Sequence, residues 1–319
     1  MDHHENDPSS VDAIEAAEEF AQVVEVLTTP YLGAVWERDL PNRRKLASIV
    51  CIKRQLEAIR SGMLLAKNNL GHMGAVFLRP ACEEAMWLSY LHKIDEEDAN
   101  RLLSSMTALD VTRSIIAQQQ YAGKRGMRSL GFPANIAKHA GEGKRFAEEE
   151  LQEFGRHLGW PKDDSDSYIA PPPVAWIAQQ CNMAKLYDFL YSATSRSVHF
   201  SAGEVSRRGW AYLDEEGEEH EMDFLPDVYH TYRTDFSLYW CCSLLVETLA
   251  AALPTLMPEE IGDDVEQRML QAVKKVGAIG VVPIIVPSEF NIPQMRRRIE
   301  ETITRAREIQ RRARERGDL

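Results

Sequence analysis

The stretch RRKLASIVCIKRQLEAIRSGMLLAKNNL, residues 43–70, sets Leu46, Ile49, Val50, Ile52, Leu56, Ile59, Met63 and Leu64 mostly three and four residues apart. That spacing keeps returning to one side of a 3.6-residue turn, so it predicts a long amphipathic α-helix with a face to bury. The same rhythm continues on both sides. Upstream, residues 11–27 read as a helix with Ser10 as N-cap and acidic residues in the first turns, where the helix dipole favours them. Downstream of the break at Gly71 and Gly74, helices are predicted through Leu91, over Asp95–Gln120, over 143–158, over Val174–His199 and over Val228–Leu253. Three glycines and a proline in GKRGMRSLGFP, Gly123–Pro133, predict a loop, and KDDSDSYIAPPP, residues 162–173, a polar linker.

One segment departs from the helical period. Residues 208–224, RGWAYL, DEEGEE and HEMDF, alternate apolar residues around a glycine-containing turn and predict a β-hairpin. Pro283 and Pro287 interrupt an apolar segment that reads as extended. The expected fold class is therefore all-α, a multi-helix bundle with one small hairpin. The expected organisation is a mobile acidic N-terminus over 1–10, a single helical domain over 11–290 and an arginine-rich C-terminal helix over 291–319.

Composition narrows the function. A formal net charge of -12 argues against a general electrostatic grip on nucleic acid or anionic lipid, leaving only local basic patches for that role. The acidic N-terminus has no secretory character, and Phe236–Leu256, the most apolar stretch, carries Glu247, so it reads as a core helix rather than a membrane span. The expected compartment is the cytoplasm, with no membrane partner. Five cysteines without paired spacing give neither a disulfide framework nor a zinc site, and no Glu-x-x-His pair or phosphate loop occurs. Gly141-Glu142-Gly143-Lys144 lacks the hydroxyl residue that a phosphate loop places after its lysine. No metal and no cofactor is expected.

Two polar features lie on otherwise apolar helices. Arg79 and Glu83 are four residues apart, in the orientation less favourable for the helix itself, which points to a tertiary role, either a partly buried ion pair or a functional pocket. Tyr187, Tyr191, Ser195 and His199 follow at four-residue steps and share a stripe, expected to point inward with Ile177, Cys181 and Ala184. A network joining this stripe to Arg79 and Glu83 would satisfy both.

An Arg-x-x-x-Glu helix followed far downstream by a Tyr-rich helix ending Ser-x-x-x-His resembles an uncharacterised bacterial family of all-helical domains of unknown function, over roughly residues 45–250. The resemblance implies a shared polar centre of Arg79, Glu83, Tyr191, Ser195 and His199, the candidate catalytic group, and no settled activity. A looser likeness is to HEPN domains, helical bundles whose ribonuclease members pair an Arg with a His without metal. Here only Ser197 and Val198 separate Arg196 from His199, which departs from that pattern.

Two basic patches stand against the acidic background. Lys124, Arg125 and Arg128 lie in the glycine-rich segment, and Arg296, Arg297 and Arg298 open a run of nine arginines reaching Arg316. Both are candidate nucleic-acid contacts, and the C-terminal helix is also a candidate surface for a protein partner or for a homo-oligomer. The sequence thus leaves two readings, a binding, regulatory or effector component and a HEPN-like, metal-independent ribonuclease toxin or defence effector using His199 with Arg79 or Arg196.

Overall fold

The computed structural model describes residues 12–32, 42–198, 209–213, 219–224, 230–256 and 263–280. Ser10, the 1–10 segment and the 291–319 helix lie outside them. The helices are α1 (Ala13–Leu32), α2 (Arg43–Lys67), α3 (Leu78–Leu91), α4 (Glu96–Ser129), α5 (Ile136–Leu158), α6 (Val174–Gln180), α7 (Ala184–Val198), α8 (His230–Leu256) and α9 (Asp263–Ile279). A 3-10 segment, Gly71–Phe77, leads directly into α3. Two short strands, β1 (Gly209–Leu213) and β2 (Glu219–Phe224), pair antiparallel with Gly209 opposite Phe224. The fold is all-α apart from this pair.

Local chemistry explains where the helices begin. Asp12 Oδ1 accepts hydrogen bonds from the amides of Ile14 (2.8 Å) and Glu15 (3.3 Å) at the start of α1. Asn42 Oδ1 accepts from Lys45 at 2.9 Å, and Asp95 Oδ1 from Glu97 at 2.8 Å, so α2 and α4 also open on side-chain caps.

The core forms around α8, which packs against α2, α3, the 3-10 segment and α1. Leu238, Cys242, Leu244, Leu245, Thr248 and Ala252 of α8 are buried, and Ile52, Leu56, Ile59 and Met63 of α2 answer them. By length and composition Tyr232–Leu256 is apolar enough to cross a membrane. Here that apolarity is spent on helix packing, and Glu247 projects to the outside. Leu46, Val50 and Leu64 remain exposed, so the buried stripe of α2 is narrower than its apolar content.

Glycine permits the closest contact. A Cβ on Gly71 would lie 1.9 Å from Thr234 Oγ1, and one on Gly74 would lie 3.0 Å from Ser237 Cβ. At the other end of α8, Thr255 Oγ1 lies 3.1 Å from His92 Nδ1, whose ring reaches Ser48 Oγ of α2 through Nε2 at 3.3 Å. Burial, and then Arg44, lower the pKa of His92, which favours the neutral ring.

Helices α4 and α5 form an antiparallel arm. Their facing residues include Asp98 with His157 (3.2 Å) and Arg113 with Glu148 (3.5 Å). Leu102, Leu109, Leu151 and Phe154 bury the base of the arm. Farther out, buried side chains thin to Met127, Ala140 and Ala147, and α5 packs chiefly on α4.

Two sequence expectations are corrected. Gly123–Pro133 is not a loop throughout, because α4 runs on to Ser129 across a kink at Gly123 (φ 69, ψ 171) and the buried Met127 anchors its last turns. Val174–His199 is not one helix either. Asn182, with φ 58, ends α6 in the left-handed conformation, and α7 starts afresh at Ala184.

Two outcomes follow from this packing. Gly71→Ala should lower stability by about 1–3 kcal/mol, because the new methyl collides with Thr234 and α8 must yield; an unchanged urea midpoint would refute the close approach. Asp235 on α8 is raised from 3.8 to about 6, first by burial and then by Asp12. Its folded pKa lies above its unfolded value, so its ionisation costs stability progressively as pH rises from about 4 to 6 and the full cost persists above that. Asp235→Asn should therefore gain on the order of 2 kcal/mol at pH 7, at about 1.4 kcal/mol per tenfold change in proton affinity, discounted for partial exposure. The gain should vanish near pH 4, as read from paired denaturation curves.

Candidate functional site

Helix α3 carries two adjacent glutamates, about 100° apart around its axis, and they do different work. Glu83 faces outward with Arg79, whose Nε donates to Glu83 Oε1 at 3.1 Å. The Arg79 guanidinium carbon lies 5.0 Å from the centre of the Tyr191 ring on α7. Tyr187 stands one turn earlier on α7, its ring 5.3 Å from that of Tyr191. The bond to Glu83 is the main cause raising the pKa of Arg79, with Glu83, Tyr191 and Tyr187 adding electrostatic support. Burial is the main cause raising that of Tyr187, so its phenol stays protonated.

The cluster joins Arg79, Glu83, Tyr187 and Tyr191, and it is not sealed. Arg79 and Glu83 are 28% and 36% exposed, and Tyr191 is 41% exposed. The inward face of α7 is instead built by Leu190 and Thr194, whose hydroxyl donates to the Leu190 carbonyl at 2.7 Å. The buried face is therefore displaced around α7 from the tyrosine stripe, because Tyr187 and Tyr191 flank the start of α3 while Leu190 and Thr194 meet the core. Ser195 is half-buried. His199 and the side chain of Arg196 lie outside the described residues.

The deeper polar centre involves Glu84. Its carboxylate receives Arg54 at 3.1 Å and Gln55 Nε2 at 3.5 Å. Gln55, 1% exposed, also donates to the Ala81 carbonyl at 3.3 Å and accepts from Thr248 Oγ1 at 3.0 Å, so one amide joins α2, α3 and α8. Burial is the dominant cause raising the Glu84 pKa, against the opposing pull of Arg54 and Gln55. A cavity of about 240 Å³ opens beside it, lined by residues including Arg54, Ser61, Phe77 and Glu84. Gln55 was detectable in sequence as a glutamine inside the apolar Ile52–Leu56–Ile59 stripe, a polar group that must find partners.

The remaining candidates separate clearly. Lys124, Arg125 and Arg128 are exposed on the last turns of α4, far along the chain from the α3–α7 cluster. Arg296, Arg297 and Arg298 lie outside the described residues. Cys241 and Cys242 are buried, and burial raises the Cys241 thiol to about 12, so they pack as neutral side chains. Among the described residues no group of three or more His, Cys, Asp or Glu side chains could hold a metal ion.

These features define a helical-bundle domain with an aromatic–arginine cluster on one side and a two-helix arm. Over residues 45–220 the chain matches DUF5677, a family of unknown function. That match covers more than half of the chain, which belongs to this family. It spans α2 through α7 and so includes both the cluster and the arm. No curated protein and no solved structure matched the chain.

Glu83→Ala should cost less than about 1 kcal/mol, the range of a half-exposed ion pair rather than of a buried one. Gln55→Ala should cost about 2 kcal/mol or more, since it opens a cavity and strips Thr248 of its acceptor. The reverse order in chemical denaturation would show that Glu83, and not Gln55, is the structural hub.

Proposed function

We propose that the protein is a binding component, and that the Arg79–Tyr187–Tyr191 surface is where it meets a protein partner. The observation that carries this reading is the Arg79 guanidinium over the Tyr191 ring at 5.0 Å while Tyr191 stays 41% exposed. Tyrosine and arginine are the side chains from which interfaces draw much of their energy, and here Glu83 pre-orients the arginine before any partner arrives. The ribonuclease alternative asks Arg79 or Arg196 to act on phosphate beside His199; the engagement of Arg79 with Glu83 and Tyr191 weighs towards recognition for that arginine.

A photo-crosslinking residue in place of Tyr191 should give discrete protein adducts in cells, and Arg79→Ala should remove them without lowering the melting temperature by more than a few degrees. Loss of adducts only in step with loss of folding would assign the cluster a structural role. RNA cleavage that disappears in His199→Ala would replace the binding reading with the nuclease.

A further inference from the structure

The longest run of the sequence without a carboxylate side chain is 111–141, bounded by Asp110 and Glu142, in a chain that carries 49 Asp and Glu. Within it lie Arg113, Lys124, Arg125, Arg128 and Lys138. The fold places this run in the outer half of the α4–α5 arm, where little but Met127 and Ala140 is buried. A chain with a net charge of -12 thus carries, in the outer half of this arm, a stretch whose own residues include five cations and no carboxylate.

The tip has a definite construction. Gly123 turns the chain, and a Cβ there would meet nothing within 4 Å, so open space surrounds the kink. Lys124, Arg125 and Arg128 follow on the last turns of α4, all exposed, and among the described residues none of them is held in an ion pair. Arg113 and Lys138 are engaged, with Glu148 at 3.5 Å and Glu142 at 3.9 Å. Just before the kink stands Tyr121, 96% exposed, and just after these turns Leu130 is also exposed.

We infer that the tip of the arm binds single-stranded RNA. Lys124, Arg125 and Arg128 supply the backbone contacts, because three exposed cations that no ion pair among the described residues holds can attract successive phosphates. Tyr121 supplies the second contact, an open aromatic face on which an unstacked base can lie. A duplex hides its base faces, so the pairing of the cations with the open Tyr121 ring favours the single strand, whose bases alternate with its phosphates at every nucleotide. RNA is the nucleic acid that presents such strands routinely.

The test uses the full chain and a fluorescein-labelled oligouridylate of about 16 nucleotides, a length that spans one such site. Fluorescence anisotropy should show binding whose logarithmic salt slope has a contribution of about -0.7 per phosphate contact. The triple variant Lys124→Gln/Arg125→Gln/Arg128→Gln should weaken binding at least tenfold at low salt and flatten the slope by about 2. Tyr121→Ala should weaken binding about tenfold and leave the slope unchanged, since a ring releases no counterions. All four side chains are exposed, so melting temperatures should match the wild type; the Tyr121 variant gives an independent readout if the triple variant fails to fold. Binding that is unaffected by either variant would overturn the inference. Equal affinity for an RNA duplex of the same length, or for polyglutamate, would also overturn it and leave a generic cationic contact.

Discussion

Everything else in the bundle depends on the need to cover α8. A helix this apolar must bury most of its surface, and the cover comes from α1, α2, α3 and the 3-10 segment together, leaving only the side of Glu247, Ala250 and Pro254 to water. The glycines of that segment let its backbone reach Thr234 and Ser237, closer than any side chain would allow. The buried Gln55 amide then fixes α2, α3 and α8 in one register, because each of its hydrogen bonds would be costly to leave unmade. Once α3 is held this way, its outer face has only one direction. Arg79 and Glu83 are turned towards α7, and Glu84 towards α2.

That division shows what a linear sequence reveals about a site. Arg79 and Glu83 attract notice because they are four apart on an apolar helix, and the tyrosines of α7 because they repeat at the same step. The structure does bring Arg79, Glu83, Tyr187 and Tyr191 together. Depth was harder to read. Glu84, 14% exposed, is the more enclosed carboxylate, and Leu190 and Thr194 rather than the tyrosines face the core. A four-residue step leaves the phase of a stripe open by a residue in either direction, and only the neighbouring helices decide it.

The helices themselves were legible wherever apolar residues recur at three and four, as in α2 and α4. Their interruptions were less so. Glycine punctuation suggested a loop at Gly123–Pro133, yet one glycine with positive φ can redirect a helix that a buried methionine then continues. The opposite holds at Asn182, where no glycine or proline announces the break between α6 and α7, because asparagine tolerates the left-handed conformation better than most residues with a side chain.

The bond between Gln55 and Thr248 joins residues 193 positions apart. Contacts of that span carry a loop-closure cost that local helical pairing, such as the α4–α5 hairpin, avoids. As the chain leaves the ribosome, α4 and α5 can therefore pair at once, while the apolar faces of α2 and α3 wait for most of the polypeptide to be made. Until α8 emerges, those faces are open to aggregation or to a chaperone. Completion of the bundle is thus governed by when α8, the helix that reaches Leu256, leaves the ribosome.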